Sequence, residues 1–252
     1  MSAPLLAIAE AAARSAGALL LERFREPATG LSAKTSRTDL VSDADRAAEA
    51  LIARAILDAR PGDALVAEEG AAAEGGSGVR WLVDPLDGTI NFLWGVPHWC
   101  VSVAAYDAGG GVAGVVHDPN RGETFTAVRG GGARLDGAPI AVRAPSPVSE
   151  ALIATGFEYT AEARARQARL LASVLPAVRD VRRFGAAALD LCWVAAGRFD
   201  GYFETGLKPW DRAAGELVVR EAGGAVEDMA HDGVVAGHPA LVAALRGLVG
   251  GG

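Results

Sequence analysis

The chain has 252 residues, of which 50% are hydrophobic and 22% are charged, so it can bury a large core without disulfides or a structural metal. Its formal net charge is −7, with 24 Lys and Arg residues against 31 Asp and Glu residues. This balance offers no basic surface for nucleic acid as the primary ligand, whereas local clusters of acids are candidate cation sites.

The two cysteines, Cys100 and Cys192, lie in apolar stretches without paired spacing, which indicates reduced thiols in a core. The N-terminus lacks the basic segment of a signal peptide, and Glu10 and Arg14 soon interrupt its apolar residues. No apolar run reaches the length of a membrane span. We therefore expect a soluble, cytoplasmic protein with no membrane contact.

The first third of the chain predicts a helix, a loop and a second helix. Residues 4–25 are rich in Ala and Leu and are followed by Pro27, which ends the first helix. A polar loop with Lys34 comes next. Ser42 and Asp45 then have the character of an N-cap and an acidic first turn, and they predict a helix that ends near residue 61.

The next segment predicts two short strands that end in acids. Residues 64–67 are apolar and precede Glu68 and Glu69, and residues 70–78 predict a flexible connection. The apolar run that begins at Trp81 predicts a buried strand that Asp84 and Pro85 end.

Three residues after Asp84, the chain reads Asp87, Gly88, Thr89, which is typical of the start of a helix. Free backbone N–H groups at such a start favour an anion. A strand that delivers two carboxylates to this turn can hold cations and a phosphate together.

The middle of the chain predicts an antiparallel meander of short strands separated by Gly-rich turns, at 100–106, 112–117, 124–128, 133–135 and 140–142. Gly109, Gly111 and Gly114 match the spacing of a dinucleotide-binding loop, but they lie between two strands instead of opening a helix. We therefore interpret them as residues of a hairpin.

Pro145 and Pro147 mark the predicted boundary between an N-terminal half, residues 1–143, and a C-terminal half, residues 144–252. The second half alternates predicted strands near 151–155, 180 and 200–204 with helices at 162–175, 186–196, 211–222 and 240–248. We expect layered sheets and helices with a cleft between the halves.

Carboxylates stand at the ends of several predicted elements, namely Asp45, Glu68, Glu69, Asp84, Asp87 and Asp211. They can converge only if a cation neutralises them, and Mg²⁺ suits oxygen ligands and keeps positions for water and phosphate. Alternatively, each acid caps its own helix, and for Asp45 the two accounts are equally good. For Asp84 and Asp87 the site is favoured, because an apolar strand gains little by ending in two acids.

Four segments of the chain resemble the inositol monophosphatase family. Asp84-Pro-Leu-Asp-Gly-Thr-Ile-Asn-Phe92 resembles its first signature, and Trp210–Gly215 followed by Glu221–Gly224 resembles its second. Asp39–Asp45 with Glu68-Glu69, and Gly185–Glu204, are also similar to it. The resemblance spans nearly the whole chain and implies an α/β fold, a layered αβαβα sandwich of the inositol monophosphatase and fructose-bisphosphatase type.

The resemblance also implies the metal ligands. Glu68, Asp84 and the carbonyl of Leu86 would hold one Mg²⁺, while Asp84, Asp87 and Asp211 would hold a second, with Asp84 bridging the two. Glu68 would also help to hold a third, weaker ion through water. The site would therefore take two to three Mg²⁺ ions.

The same resemblance gives roles around the phosphate. Thr89, paired with Asp45, would orient and help to deprotonate the attacking water, with Glu68 as the third catalytic residue. The amides of Gly88 and Thr89 would contact the phosphate, beside Asp87 and Asp211. A loop with Lys34 and Asp39 would close over the metals, although a solvated basic loop explains that segment equally well.

The implied reaction is in-line attack of water on a phosphate monoester. One ion lowers the pKa of the water and the other stabilises the departing alkoxide. Phosphoryl transfer depends on positioning and charge neutralisation, so no Ser, Cys or His nucleophile is needed. Ile90 stands where the family commonly has a second Thr, and we expect this change to affect packing more than chemistry.

Substrate contacts in the family match Gly185, Ala187 and Glu204, and Glu204 could accept hydrogen bonds from a polyol. Arg182 and Arg183 could meet an anionic group, or form surface salt bridges instead. We expect inositol monophosphatase activity, with histidinol phosphate or another sugar or polyol phosphate as alternative substrates.

Two other classes remain as alternatives. Asp43-Ala-Asp45 superficially resembles the motif of haloacid-dehalogenase-type phosphatases, but it opens a helix instead of following a buried strand. A regulatory binding module associated with RNA synthesis is the alternative outside enzymology. The family resemblance also implies a homodimer and sensitivity to Li⁺, which would compete at a metal position.

Overall fold

The computed structural model describes residues 2–26, 29–33 and 40–250. The predicted closing loop with Lys34 and Asp39 therefore lies outside the described residues.

The described residues form seven α-helices: α1 (Ser2–Arg23), α2 (Asp43–Ala59), α3 (Thr89–Leu93), α4 (Ala161–Val174), α5 (Ala187–Ala195), α6 (Pro209–Glu221) and α7 (Pro239–Val249). Each coincides with a helix that the sequence predicts. Helix α2 begins where expected because Ser42 caps it, accepting the N–H of Ala44 on its side chain.

Fifteen strands lie between them: β1 (Ser32–Ala33), β2 (Leu40–Val41), β3 (Ala64–Ala67), β4 (Ala72–Ala73), β5 (Arg80–Asp87), β6 (Cys100–Asp107), β7 (Gly110–Asp118), β8 (Glu123–Val128), β9 (Gly132–Leu135), β10 (Ala138–Pro139), β11 (Leu152–Thr155), β12 (Asp180–Arg182), β13 (Gly201–Glu204), β14 (Ala225–Met229) and β15 (Gly233–Gly237).

The strands form a pair, β1 with β2, and two larger sheets. The first sheet has eight strands in the order β10-β9-β8-β7-β6-β5-β3-β4 and is antiparallel except for β3 beside β5. The second has five strands in the order β12-β11-β13-β15-β14, of which β12, β11 and β13 run parallel. The predicted meander is confirmed through β9.

The layers alternate as the resemblance implies. Helices α1 and α2 cover one face of the eight-stranded sheet, and α5 and α6 lie between the two sheets. Helices α4 and α7 cover the outer face of the five-stranded sheet. The αβαβα sandwich is therefore confirmed. The division at residue 143 stays a prediction, and α5 and α6 share one hydrophobic core with residues of the first sheet such as Leu82 and Phe125.

Among the described residues, α1 alone is long and apolar enough, by length and composition, to cross a membrane. Its buried residues are Leu5, Ala9, Ala12, Ala13, Ala16, Gly17 and Leu20. They pack in the core that α1 and α2 form with the eight-stranded sheet. Small side chains allow this close packing, and a Cβ on Gly17 would lie 2.6 Å from the His117 ring. The apolar residues on the inner face of α1 therefore belong to this core.

Several boundaries differ from the prediction. The strand expected at 140–142 is wrong: β10 ends at Pro139, and the N–H of Val142 instead donates to the carbonyl of Ala222. Strand β5 continues past Pro85 to Asp87, because a shift in its register with β6 tolerates the proline. The flexible connection contains β4. The hairpin of β14 and β15 was not predicted.

Other expectations hold. Both cysteines are free and buried. Gly109 lies between β6 and β7, while Gly114 is in β7, where a Cβ would lie 3.2 Å from the backbone of Ala214 in α6. The glycine pattern is therefore part of a hairpin that packs closely on a helix.

Candidate active site

A cavity of about 780 Å³ opens where β3, β5 and β13 end and α3 and α6 begin. Its lining includes every predicted metal ligand and every predicted substrate residue except Arg182, and Asp45 contacts Thr89 of this lining. The lining residues that the sequence predicted are Glu68, Asp84, Leu86, Asp87, Gly88, Thr89, Arg183, Gly185, Ala187, Glu204 and Asp211.

Three carboxylates converge on one side of this cavity. Glu68, Asp84 and Asp211 each offer an oxygen, and these oxygens all lie within 4.8 Å of one another. Parallel pairing explains the first two, because β3 and β5 run side by side and bring Glu68 and Asp84 to the same edge. Asp211 enters from the first turn of α6, where it accepts the N–H of Lys208 at 2.7 Å.

The electrostatics of this cluster favour a cation. Burial, and then the charges of Glu68, Asp87 and Asp211, raise the pKa of Asp84 well above its ordinary value. Burial and the charge of Glu68 likewise raise the pKa of Asp211. Hard carboxylate oxygens that repel one another at these distances match the ligand preference of Mg²⁺. The residues present therefore fit a magnesium site.

Asp87 lies beside this group and is held from α5. Its Oδ2 accepts the N–H of Ala188 at 2.7 Å and faces the Cys100 thiol at 3.6 Å. Burial raises the pKa of Asp87 to about 7, and the N–H of Ala188 opposes this shift. The first turn of α5 thus orients the carboxylate of Asp87.

Asp45 combines two contacts that the sequence left as alternatives. One oxygen of its fully buried carboxylate accepts the backbone N–H of Ser42 at 2.9 Å and the Ser42 hydroxyl at 2.6 Å, which caps α2. The other accepts the hydroxyl of Thr89 at 3.0 Å. The Thr89 oxygen also lies 3.0 Å from the carbonyl of Leu86. Because a hydroxyl has one proton, Thr89 donates fully to one acceptor at a time.

Gly88 makes the turn from β5 into α3 with a φ of 93°. A Cβ there would lie 3.0 Å from the carbonyl oxygen of His98. Both observations explain why a residue without a side chain occupies the position.

We expect Gly88→Ala to lower the free energy of unfolding by about 1–3 kcal/mol, because it adds backbone strain and a close contact. Gly95→Ala is the matched control, because Gly95 has a φ of 71° and nothing within 4 Å of its Cβ position. Urea unfolding of both variants measures the difference. Equal losses would mean that the contact with His98 contributes nothing.

Another carboxylate in the lining of the cavity, that of Glu204, is half-buried. Glu204, at the end of β13, accepts the hydroxyl of Tyr202 at 2.6 Å. A Cβ on Gly156 would lie 2.0 Å from the same carboxylate, so Gly156 makes room for it. Burial raises the pKa of Glu204 to about 8.

Arg182 and Arg183 lie in different environments. Arg183 lines the cavity and lies over the ring of Phe157 at 5.8 Å, whereas Arg182 forms a surface salt bridge with Asp180 at 2.5 Å. Sequence reasoning missed the segment 157–160, which also lines the cavity. Its residues carry no motif, and only the pairing of β11 with β13 brings them to the site.

Comparison with known proteins decides the family. A model described as the inositol monophosphatase family matches residues 1–250. The chain belongs to this family. Nus factor SuhB of Escherichia coli K12 is 42% identical over 251 residues, covering 96% of this chain and 94% of the relative.

Solved structures agree with this assignment. The extragenic suppressor protein suhB of Bartonella henselae has a TM-score of 0.94 and 38% identity, covering 99% of this chain and 100% of the other. The inositol monophosphatase of Anabaena has a TM-score of 0.85 and 32% identity, covering 98% and 95%. Membership of the inositol monophosphatase family supports a phosphatase, and its members use Mg²⁺, for which the acidic cluster provides ligands.

Proposed function

We propose that this protein is a Mg²⁺-dependent phosphate monoester hydrolase and that inositol monophosphate is its substrate. The observation that carries the proposal is the cavity itself: the carboxylates of Glu68, Asp84 and Asp211 lie at one side of it, next to Thr89 and its partner Asp45. Hydrolysis of a polyol phosphate requires a cation site, a group that handles the proton of water and a group that binds the alcohol. The carboxylate cluster, the pair of Thr89 and Asp45, and Glu204 are the candidates for these three roles.

In this proposal, Glu68, Asp84 and the Leu86 carbonyl would hold one ion, Asp84, Asp87 and Asp211 would hold another, and Glu68 would help to hold a third through water. When bound, Mg²⁺ supplies an activated water and stabilises the oxygen of the leaving alcohol. The contribution of the protein is to hold the carboxylates at the required spacing, because β3, β5 and α6 fix the backbone from which they project.

Thr89 and Asp45 are proposed to handle the proton. Asp45 is buried, and one of its carboxylate oxygens accepts the N–H and the hydroxyl of Ser42 at the cap of α2. Its other oxygen accepts the hydroxyl of Thr89. The Thr89 hydroxyl, aligned in this way, accepts a proton from the attacking water while it donates its own to Asp45. Gly88 and Thr89 present their backbone to the phosphate from the same turn.

Glu204 is proposed to bind the alcohol portion of the substrate, with Gly185, Ala187 and Arg183 around it. The carboxylate already accepts the Tyr202 hydroxyl and faces the cavity, so it has remaining capacity for a polyol hydroxyl.

At pH 9, above the raised pKa of Glu204, we expect Glu204→Gln to raise KM for inositol 1-phosphate about tenfold, because a charge-assisted hydrogen bond is replaced by a neutral one. KM for phenyl phosphate, which has no polyol, should stay within about twofold of the parent value. Glu158→Gln is the control, since Glu158 lines the same cavity but directs its carboxylate toward Arg166 at 3.8 Å. An equal rise in KM for both substrates would argue against polyol recognition by Glu204.

A substrate panel tests the proposal as a whole. Mg²⁺-dependent phosphate release from inositol 1-phosphate should exceed release from histidinol phosphate and fructose 1,6-bisphosphate in kcat/KM. Preference for histidinol phosphate would keep the phosphatase and change its substrate. No Mg²⁺-dependent release from any monophosphate would overturn the proposal.

The names of the relatives favour a second candidate function. Several curated relatives at 41–43% identity are called Nus factor SuhB. We propose on this basis that a role in RNA synthesis, through protein or nucleic-acid partners, accompanies or replaces hydrolysis. Co-purification of the tagged chain with RNA polymerase, unaffected by loss of Asp84, would support a role separate from catalysis. We also propose a cytoplasmic homodimer that Li⁺ inhibits, which light scattering and a Li⁺ titration would test.

A further inference from the structure

Two buried polar side chains outside the proposed catalytic set face each other behind the cavity. His98, in the segment between α3 and β6, is 3% exposed, and Asp190, in the first turn of α5, is fully buried. The Nε2 atom of His98 lies 3.7 Å from Oδ1 of Asp190. Within the described residues, neither imidazole nitrogen and neither carboxyl oxygen has a hydrogen-bond partner. Such groups are costly to bury unpaired, so the pair requires an explanation.

Aromatic side chains enclose the imidazole. The ring of His98 stacks on Phe184 at 4.8 Å and meets the edge of Trp193 at 5.3 Å. Burial, and then the charge of Arg121, lower the pKa of His98 to about 4, so the ring is neutral at pH 7 and carries one N–H. The carboxyl group of Asp190 lies 3.7 Å from Nε2 of this ring, and a small side-chain rotation would close a hydrogen bond between them.

The Asp190 side of the pair is joined to Asp87. Both Asp190 and Ala188 lie in the first turn of α5, and the N–H of Ala188 holds the Asp87 carboxylate at 2.7 Å. Any movement of this turn therefore changes the orientation of Asp87.

The His98 side is joined to Gly88. The carbonyl oxygen of His98 would lie 3.0 Å from a Cβ on Gly88, so the backbone at residue 98 packs directly against the turn that follows Asp87. Asn91 adds a second connection, because its Nδ2 donates to the carbonyls of His98 and Phe184, both at 2.8 Å. The first turn of α5, which holds Asp87, and the backbone at residue 98, which packs against Gly88, are thus next to each other at the His98–Asp190 pair.

We propose that His98 and Asp190 form a hydrogen-bonded pair that positions Asp87 for cation binding by fixing the first turn of α5 to the backbone beneath Gly88. Both are positioning residues, since neither lines the cavity. The inference rests on the proposed function in one respect, namely that Asp87 faces the cation.

Calorimetric titration of the intact protein with Mg²⁺, without substrate, tests the proposal. His98→Phe keeps the stacked ring and removes the N–H, and Asp190→Leu removes the acceptor. Each should raise the Kd for Mg²⁺ about tenfold, which is typical when the support of a ligand is lost. Asp190→Asn retains an acceptor and should stay within about threefold of the parent. In phosphate release, KM for Mg²⁺ should rise while kcat at saturating Mg²⁺ changes less than about twofold.

Each single variant leaves one buried polar side chain without its partner and can therefore fail to fold. The double variant His98→Phe, Asp190→Leu replaces both polar groups by apolar ones, so it serves as the test in that case. We expect it to fold and to bind Mg²⁺ about as weakly as either single variant, since the pair acts as a unit. Asp63→Asn is the control: Asp63 is 1% exposed and binds Arg60, Ser77 and Trp81, away from the cavity. It should lose stability without a change in Kd.

Parental Kd in the double variant would overturn the inference and leave the proposed function standing. Absence of Mg²⁺ binding by the parent protein would instead overturn the proposed function. The two failures are therefore distinguishable.

Discussion

Asp84→Asn should lower Mg²⁺-dependent phosphate release by about a thousandfold, because the loss of several kcal/mol of transition-state stabilisation corresponds to such a factor. Asp84 is 2% exposed and is the member of the cluster proposed to touch both ions. Its amide variant retains the shape of the side chain and removes the charge. Release within tenfold of the parent would contradict the metal mechanism.

The same variant should be more stable than the parent protein when Mg²⁺ is removed by EDTA. Burial and the neighbouring carboxylates raise the pKa of Asp84, so the folded state binds its proton more tightly than the unfolded state does. The stabilisation from that proton is complete below the ordinary pKa and is lost as pH rises through the raised value. At neutral pH the parent protein has lost part of this stabilisation. The amide of Asp84→Asn is uncharged at every pH, so in EDTA the Tm of this variant should be higher than that of the parent.

A thermal scan in EDTA and one in excess Mg²⁺ separate the two effects. The parent should gain Tm on adding Mg²⁺, since an ion that binds only the folded state stabilises it, whereas Asp84→Asn should gain little. Asp63→Asn is the control for loss of a buried aspartate: its Tm should fall in both conditions while its activity is retained.

The second large effect is expected at Thr89. Thr89→Ala removes the hydroxyl that lies 3.0 Å from Asp45, and kcat should fall about a hundredfold to a thousandfold, within the range of general acid–base catalysis. KM for Mg²⁺ should stay within about twofold, because no carboxylate is lost. Steady-state kinetics over a range of Mg²⁺ concentrations gives both parameters.

Thr89→Ser is the matched variant, because it keeps the oxygen and removes only a methyl group. Its kcat should lie within about tenfold of the parent and well above that of Thr89→Ala. Similar kcat values for the Ala and Ser variants would assign the loss to packing around Thr89, which is 8% exposed, and would remove Thr89 and Asp45 from the proton pathway.

The pair of Asp84 and Asp87 was predictable because its information is local, whereas the grouping with Glu68 and Asp211 came from the family resemblance. An apolar strand, a proline and two acids within four residues lie in one continuous stretch, and the parallel pairing of β3 with β5 brings Glu68 to the same edge. The helices were predictable for a similar reason, since caps such as Ser42 lie next to the helices they begin.

Contacts between distant segments were not predictable. Nothing in the sequence near Asp87 indicates that the N–H of Ala188 holds its carboxylate, and nothing near His98 indicates that Asp190 faces it. The extension of β5 past Pro85 was missed because proline normally ends a central strand, and only the irregular register with β6 permits it. Sequence patterns and the family resemblance therefore indicated the carboxylates of the candidate site, whereas the contacts that hold those carboxylates required the fold.

Asp45 shows a third case, in which one carboxylate makes the contact of a helix cap and also contacts Thr89, while its catalytic role stays a prediction. Its local sequence indicates a helix cap, and the structure gives one oxygen to the cap and the other to Thr89. A single carboxylate can satisfy both contacts because each oxygen has its own lone pairs. Local capping signals therefore do not argue against a role in a site.

Anomalous diffraction from crystals soaked with Mn²⁺, a stand-in for Mg²⁺ with similar oxygen ligands, tests the central claim most directly. The account predicts two peaks, one about 2 Å from oxygens of Glu68 and Asp84 and the other about 2 Å from oxygens of Asp84 and Asp211, with occupancy lost in Asp84→Asn crystals. Saturating Mn²⁺ that leaves no peak among these carboxylates would contradict it.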